Sequence, residues 1–402
     1  MLQAIKAGTL IDGLGIGPIK DATILIDGKN IVEVGPAASI QIPESAKVTD
    51  ASGKTVMPGL IDTHVHIMSS SPSMEKRLFT PKAVAYFQAA LNLQCSLQAG
   101  FTTLRDAGGA DAGIRQALEM GLILGSRLVV SGTIGQTGGL LEAWFPSGAE
   151  IVDEDSWRVC DGVEEVRKTV RKVLRQGVDF IKIFTTGGVV APQGSPFLPE
   201  WSPAELDIIV EEADRCGAGV MAHAESAVGI KNALRAGVTS IEHGNVLDNE
   251  AIDLFLSTGI YLVPTLHITK ILSEQMASAG LSEVSRRKEA RLVQESEGWF
   301  RRAYQSGVNI ALGTDSVTTG MHGSNAAELS LMMSTGGLNE MEAIVAATRN
   351  AAACCCLDDR LGTLQPGKLA DLLIVDGNPL VDITVLQDID RLNVYQEGTL
   401  VS

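Results

Sequence analysis

Basic residues are in short supply: 32 Lys and Arg stand against 48 Asp and Glu in 402 residues, a formal charge of −16. Nucleic acid and anionic lipid are bound through clustered Lys and Arg, so neither is expected as a partner. No run approaches 18 uninterrupted apolar residues, which argues against a membrane-spanning helix. The first residues, MLQAIKAGTLIDGLG, lack the basic start and long apolar core of a secretory leader, so a soluble cytoplasmic protein is expected. None of the six cysteines forms a C-x-x-C pair, which removes the usual thiolate zinc site. Cys354, Cys355 and Cys356 cannot readily bridge one another, and within AIVAATRNAAACCC they read as reduced thiols on a buried helix.

Hydrophobic residues make up 45% of the chain, enough for two to three domains or one barrel with an appendage. A junction recurs through its middle: a helix-like segment, a glycine, then a short β-branched run. It is centred on Gly100, Gly177, Gly217, Gly237, Gly259 and Gly307. Glycine accepts the left-handed conformation that ends a helix, and the apolar run then enters a buried strand. Repeated helix-then-strand units give parallel strands with helical crossovers. With PGLIDTHVH and RLVVSG added, the count reaches eight, the number that closes a (β/α)8 TIM barrel over residues 56–360. An open doubly wound sheet is the alternative, but no phosphate-binding glycine loop follows the first strand. Residues 1–55 and 361–402 show short strands and turn signals such as Asp27-Gly28. Both ends are predicted to combine into one small β-sandwich domain, giving an α/β protein of two parts.

Histidine is scarce as well, with six in the chain, and four of them sit at predicted strand ends. His64 and His66 are spaced i, i+2 on the first barrel strand and so share a face, forming half of a metal clamp. His223 and His243 close the fifth and sixth strands, and Asp315 closes the eighth. The C-terminal ends of barrel strands are where such enzymes place their chemistry. Lys182 lies inside the apolar run FIKIF, where burial lowers an amine's pKa toward a neutral nucleophile able to capture carbon dioxide as a carbamate. Pairing with a nearby carboxylate is the simpler reading of that lysine.

Taken together, HVH on the first strand, lysine on the fourth, histidines on the fifth and sixth and aspartate on the eighth resemble the amidohydrolase superfamily. FTTLRDAGG, IKIFTTGGV, SIEHGN and HGSNAAEL look most like its binuclear group related to Xaa-Pro dipeptidases, basic-residue carboxypeptidases and imidazolonepropionase. The resemblance implies two divalent ions, and the ligand types suit zinc, with manganese and cobalt as alternatives. His64, His66, Lys182 as carbamate and Asp315 would hold one. The same carbamate, His223 and His243 would hold the other. A hydroxide between ions about 3.5 to 4 Å apart would attack the amide carbon. Asp315 would act as general base and then as general acid toward the leaving amine.

Substrate-binding candidates are Leu140 and Trp144 after the third strand, Glu225 after the fifth and His322 after the eighth. Two of them depart from the dipeptidase pattern. Leu140 stands where a substrate-binding histidine is common, and Glu225 where a tyrosine is common. The negative charge of Glu225 is expected to favour neutral or cationic amides, unless a neighbouring Lys or Arg neutralises it. The expected substrate is a small-molecule amide, a dipeptide or N-acyl amino acid, with xenobiotic amides and carbamates as the alternative. The chain is expected to form a homo-oligomer. A mononuclear heterocycle deaminase is the runner-up, although it would place glutamate where Ser226 stands. A non-catalytic scaffold is the third reading.

Overall fold

The computed structural model describes residues 2–71, 74–149, 157–275 and 283–402. In chain order the strands are β1 (Leu2–Leu10), β2 (Ile19–Asp27), β3 (Asn30–Pro36), β4 (Lys47–Pro58), β5 (Leu60–Val65), β6 (Phe101–Asp106), β7 (Arg127–Gly135), β8 (Trp157–Val159), β9 (Phe180–Phe184), β10 (Gly219–Ser226), β11 (Ser240–Val246), β12 (Tyr261–Val263), β13 (Leu372–Val375), β14 (Leu392–Gln396) and β15 (Thr399–Leu400).

A parallel sheet runs β5-β6-β7-β9-β10-β11-β12, with β8 pairing outside this path against β7. Its strands are buried on both faces, as in Leu60–Val65 and Phe101–Asp106, because helices cover the outside and side chains fill the ring. The helix Val163–Leu174 shows why the covering forms. Val166, Thr169, Val170 and Val173 make one buried stripe, while its acidic first turn and basic last turn suit the helix dipole. All six junction glycines take positive φ, between 68° and 96°, and so end the preceding helix as their spacing predicts.

Seven of the eight predicted barrel strands are present. The eighth is not a continuous strand: residues 309–316 close the ring through single bridges, Leu262 to Ile310 and Val65 to Ser316. Backbone bonds reinforce the seam, from Thr63 N to Leu312 O at 2.9 Å and from Asp315 N to His64 O at 2.8 Å. Two residues explain the irregularity. A Cβ on Gly313 would lie 2.4 Å from Val263 and 2.9 Å from the His64 Cβ, and Asp315 itself takes a φ of 53°. The segment is pressed against β5 and β12 more closely than a side-chain-bearing strand allows.

The chain ends build a second, mixed sheet of seven strands in the order β15-β14-β13-β4-β1-β2-β3. It is one continuous hydrogen-bonded sheet, and it shares β4 with the entry to the barrel, since β4 runs to Pro58 and β5 begins at Leu60. β2 and β3 turn at Gly28, with φ 58°, where Asp27-Gly28 is predicted to do so. Its core, including Ile5, Ile24, Ile26, Val56, Leu372 and Ile374, is separate from that of the barrel. Cys354 and Cys355 are buried at the end of the helix Arg349–Cys354, but Cys356 is exposed with φ 57°, contrary to the expectation of three buried thiols. None of the described helices is long and apolar enough to cross a membrane.

Gly313→Ala is expected to cost about 1–3 kcal/mol in urea unfolding, because the methyl has nowhere to go without moving His64 or Val263. Gly17→Ala, at a position with open space, is expected to change stability by less than about 0.5 kcal/mol.

Candidate metal centre

The ring places the C-terminal ends of its strands around one mouth, and five of the six sequence-predicted ligands converge there through contacts of their side chains. His64 Nε2 and His66 Nε2 lie 3.6 and 3.3 Å from Asp315 Oδ1. One donor atom from each of these three residues falls within 4.8 Å of the others, close enough to share an ion. His243 is the link to the far side, with ring centroids 5.2 Å from His64 and 4.6 Å from His223. Lys182 is buried on β9, one strand from His223. It forms no ion pair among the described residues, so the simpler reading of a carboxylate-paired lysine does not hold.

The donors fit divalent metal ions because their other polar atoms are already engaged. His64 Nδ1 meets Glu242 Oε2 at 2.6 Å, His66 Nδ1 the Gly108 carbonyl at 2.9 Å and His243 Nδ1 the Thr265 hydroxyl at 2.7 Å. Each contact fixes the ring so that Nε2 faces the centre, as metal-binding imidazoles require. His223 Nε2 is buried with no hydrogen-bond partner, a deficit that an ion would remove. Burial, followed by the charge of Lys182, pulls His64 down to about 4 and His223 to about 3. Burial and the neighbouring His223 and His64 depress His243 strongly. All three are therefore neutral at pH 7, the state in which imidazole binds metal. Burial also lowers Lys182 to about 8, leaving a fraction of free amine at neutral pH. Burial would raise Asp315, but His66, His64 and His243 outweigh it and hold the carboxylate ionised.

Beneath the mouth lies a polar core. Glu242 receives Arg105 at 3.1 Å, as well as the hydroxyl of Ser240 and the ring of His64. Arg105, fully buried, also donates to the Thr63 and Cys354 carbonyls and lies 4.8 Å from the centre of the Phe180 ring. Burial would raise Glu242, yet Arg105 and His64 hold it at about 2. Asp62 accepts from His64 N, Thr314 N, the Thr314 hydroxyl and Asn325 Nδ2, which ties β5 to the closing segment. Asp106 accepts from Ile67, Gly108 and Ala110, and so fixes the carbonyl that orients His66. None of these residues is among the candidates drawn from the sequence. The signal for Arg105 and Glu242 is nonetheless the one that singles out Lys182: a charge inside an apolar strand, in TTLRD and SIEHG.

The substrate-side candidates separate into two groups. Leu140 is buried and packs with Ala143, Ala191, Trp144 and Phe184, and the Phe184 ring lies 5.8 Å from His223. Glu225 is buried with Oε1 3.7 Å from His223 Nε2 while Oε2 accepts from Asn245. Its partner is thus an amide rather than a Lys or Arg, and burial raises it to about 7. His322 is buried near His66, with neither ring nitrogen hydrogen-bonded and its pKa lowered by burial to about 4.

The amidohydrolase family model matches residues 55–401. The chain belongs to the amidohydrolase family. As a member of the amidohydrolase family it is an enzyme that hydrolyses C–N bonds, and a divalent-metal centre is a general property of that family. It is 33% identical to an ochratoxinase of Aspergillus niger over 98% of this chain and 86% of that one. A solved prolidase in complex with N-methylphosphonate-L-proline matches with a TM-score of 0.92 at 35% identity, covering both chains entirely. A Xaa-Pro dipeptidase with bound methionine matches with a TM-score of 0.91 at 33% identity, again covering both chains entirely.

Glu242→Gln weakens the hold on His64 without opening a cavity, and is expected to lower metal affinity by about 10–100-fold in chelator competition. Glu200 gives a separate pH test. Burial raises this carboxyl from 4.5 to about 8, opposed only by the bond from Leu140 N at 2.8 Å. The folded protein keeps a proton that the unfolded chain releases above about 4.5, so the stability it contributes at low pH is lost as pH rises toward 8. Urea unfolding of Glu200→Gln is expected to show a smaller loss of stability than the wild type across that window.

Proposed function

We propose that the protein hydrolyses the amide bond of a small substrate, a dipeptide of the Xaa-Pro type or an N-acyl amino acid, at a binuclear centre. The observation that carries this reading is the convergence of neutral, oriented imidazoles and an ionised Asp315 around one mouth, with a buried Lys182 that has no ion-pair partner among the described residues and whose charge reaches both His64 and His223. His64, His66 and Asp315 would hold one ion and His223 and His243 the other, with Lys182, carboxylated on Nζ, reaching both. Zinc suits this set of imidazole and carboxylate donors. The ions would supply a polarised carbonyl and an acidified water.

The remaining work falls to the chain's own groups. Asp315 takes the proton from the attacking water and returns it to the leaving nitrogen. The aspartate is ionised and is one of the more solvent-accessible groups at the centre, so it can accept a proton there. Leu140, Trp144 and Phe184 form an apolar wall beside His223, which suits a ring such as proline or an aryl group. Glu225 and His322 are the polar groups a substrate would meet beyond the ligands. The same apolar wall supports small xenobiotic amides and carbamates as the second reading, in keeping with the likeness to an ochratoxinase.

A panel of Xaa-Pro dipeptides, N-acyl amino acids and aryl amides, followed by amine release, tests the substrate class. Hydrolysis of at least one peptide or N-acyl substrate is expected, and release from none of the panel would refute the proposal. Lys182→Ala is expected to reduce bound metal from two ions per chain to one or none, measured by elemental analysis, with loss of activity. Retention of two ions would remove the carbamate from the account.

A further inference from the structure

Two ionisable side chains outside the ligand set, on different sides of the ring, both lie within reach of the charge of Asp315. β10 lies four positions from β5 around the eight-part ring, so groups at the C-terminal ends of these two strands stand across the centre from one another. After β5, Arg77 on the short helix Met74–Phe79 donates from Nε to the Ser71 carbonyl at 2.8 Å. The nearby Ser69 hydroxyl bonds to Val317 O at 2.8 Å, which holds this loop beside the segment that carries Asp315. Among the described residues Arg77 has no ion-pair partner, although the charges of Asp315 and Asp106 reach it. On β10, one residue before its end, the buried Glu225 places Oε1 3.7 Å from His223 Nε2, while Asn245 occupies Oε2 and the backbone N of Glu225 donates to Thr186 Oγ1 at 3.0 Å.

We infer that Arg77 and Glu225 form a split recognition pair that selects a substrate with both termini free, an unblocked dipeptide, in preference to N-acyl amino acids or neutral amides. The inference rests on the amide-hydrolase reading above and deepens it. Asp315 returns a proton to the leaving nitrogen, so the departing amino acid lies on the Asp315 side, within range of Arg77. A guanidinium without a carboxylate partner is the group that receives a carboxylate in two parallel bonds. The acyl half then lies toward β10 and β11, where an α-ammonium meets Glu225 Oε1. Neither charge alone explains the arrangement: Glu225 repels a carboxylate and Arg77 repels an amine, so the pair fixes the direction in which the peptide lies.

The test uses the metal-loaded enzyme and four forms of one dipeptide: free, N-acetylated, C-terminally amidated and doubly blocked. The free form is expected to have the highest kcat/KM, by about tenfold or more over either singly blocked form, the size of one charged hydrogen bond. Arg77→Gln should remove the preference for acid over amide and leave the preference for free amine. Glu225→Gln should do the reverse, with metal content equal to wild type in both. Arg77→Lys and Glu225→Asp should recover part of each preference, and they carry the same test if a Gln variant does not fold. Equal hydrolysis of free and doubly blocked forms overturns the pair while leaving the amide reading intact. Equal loss on all four forms, or loss of metal, in a variant also overturns it. Hydrolysis of none of the four by wild type overturns the pair, and if the broader panel is not cut either, the amide reading falls with it.

Discussion

The carboxylate of Glu242 joins the inside of the barrel to its mouth. One oxygen is held by Arg105 and Ser240 in the interior, and the other orients the His64 ring. A buried ion pair of this kind adds little net stability over a well-packed apolar core, since both charges are desolvated. Its consequence is positional. Arg105 also reaches carbonyls of β5 and of the helix ending at Cys354, so the ion pair brings β5, β6, β11 and the chain beyond the barrel into one register. His64 then anchors the closing segment, because Asp315 N donates to its carbonyl while Asp315 Oδ1 faces its ring. The metal centre and the closure of the barrel therefore depend on the same few bonds.

Part of the backbone strain falls at the same place. His243, Thr265 and Asp315 all take positive φ, at 70°, 48° and 53°, and each contributes to the centre or holds one of its rings. Such conformations cost free energy and persist where the surroundings over-determine them. Here the surroundings are the ring itself: Gly313 permits the tight seam before Asp315, and Thr265 turns back to fix His243. The arrangement favours directed donors over backbone comfort, as expected for a site that must present several neutral imidazoles at fixed angles.

Most of the barrel is legible in the sequence because its punctuation is local. A glycine after a helix ends it in the left-handed conformation, and six such glycines mark five strand entries and the start of the closing segment without any tertiary information. The ligands are legible for a related reason, since histidine is rare in this chain and the strand period places His64 and His66 on one face. The eighth strand is not legible as what it is: NIALGTDS has the composition of a strand, and the approach of Gly313 to His64 and Val263, with the positive φ of Asp315, goes with its being reduced to bridges. Nor do the chain ends reveal that their strands form one continuous sheet, because pairings such as β13 with β4 join residues more than 300 positions apart. Arg105 and Glu242 stand inside apolar strands as Lys182 does, but their pairing across the barrel is a property of the closed ring. Arg77 gives no sequence signal, as it is one basic residue on a short helix that comes within reach of the charge of Asp315 through the loop contacts of Ser69 and Ser71.

Anomalous diffraction at the zinc edge from crystals grown with zinc and bicarbonate tests the central claim most directly, because it locates ions and the lysine modification in one experiment. The account predicts two peaks, one among His64, His66 and Asp315 and one at His223 and His243, with density for a carboxyl group on Lys182 between them. A single peak with an unmodified Lys182, or ions bound away from these histidines, would contradict it.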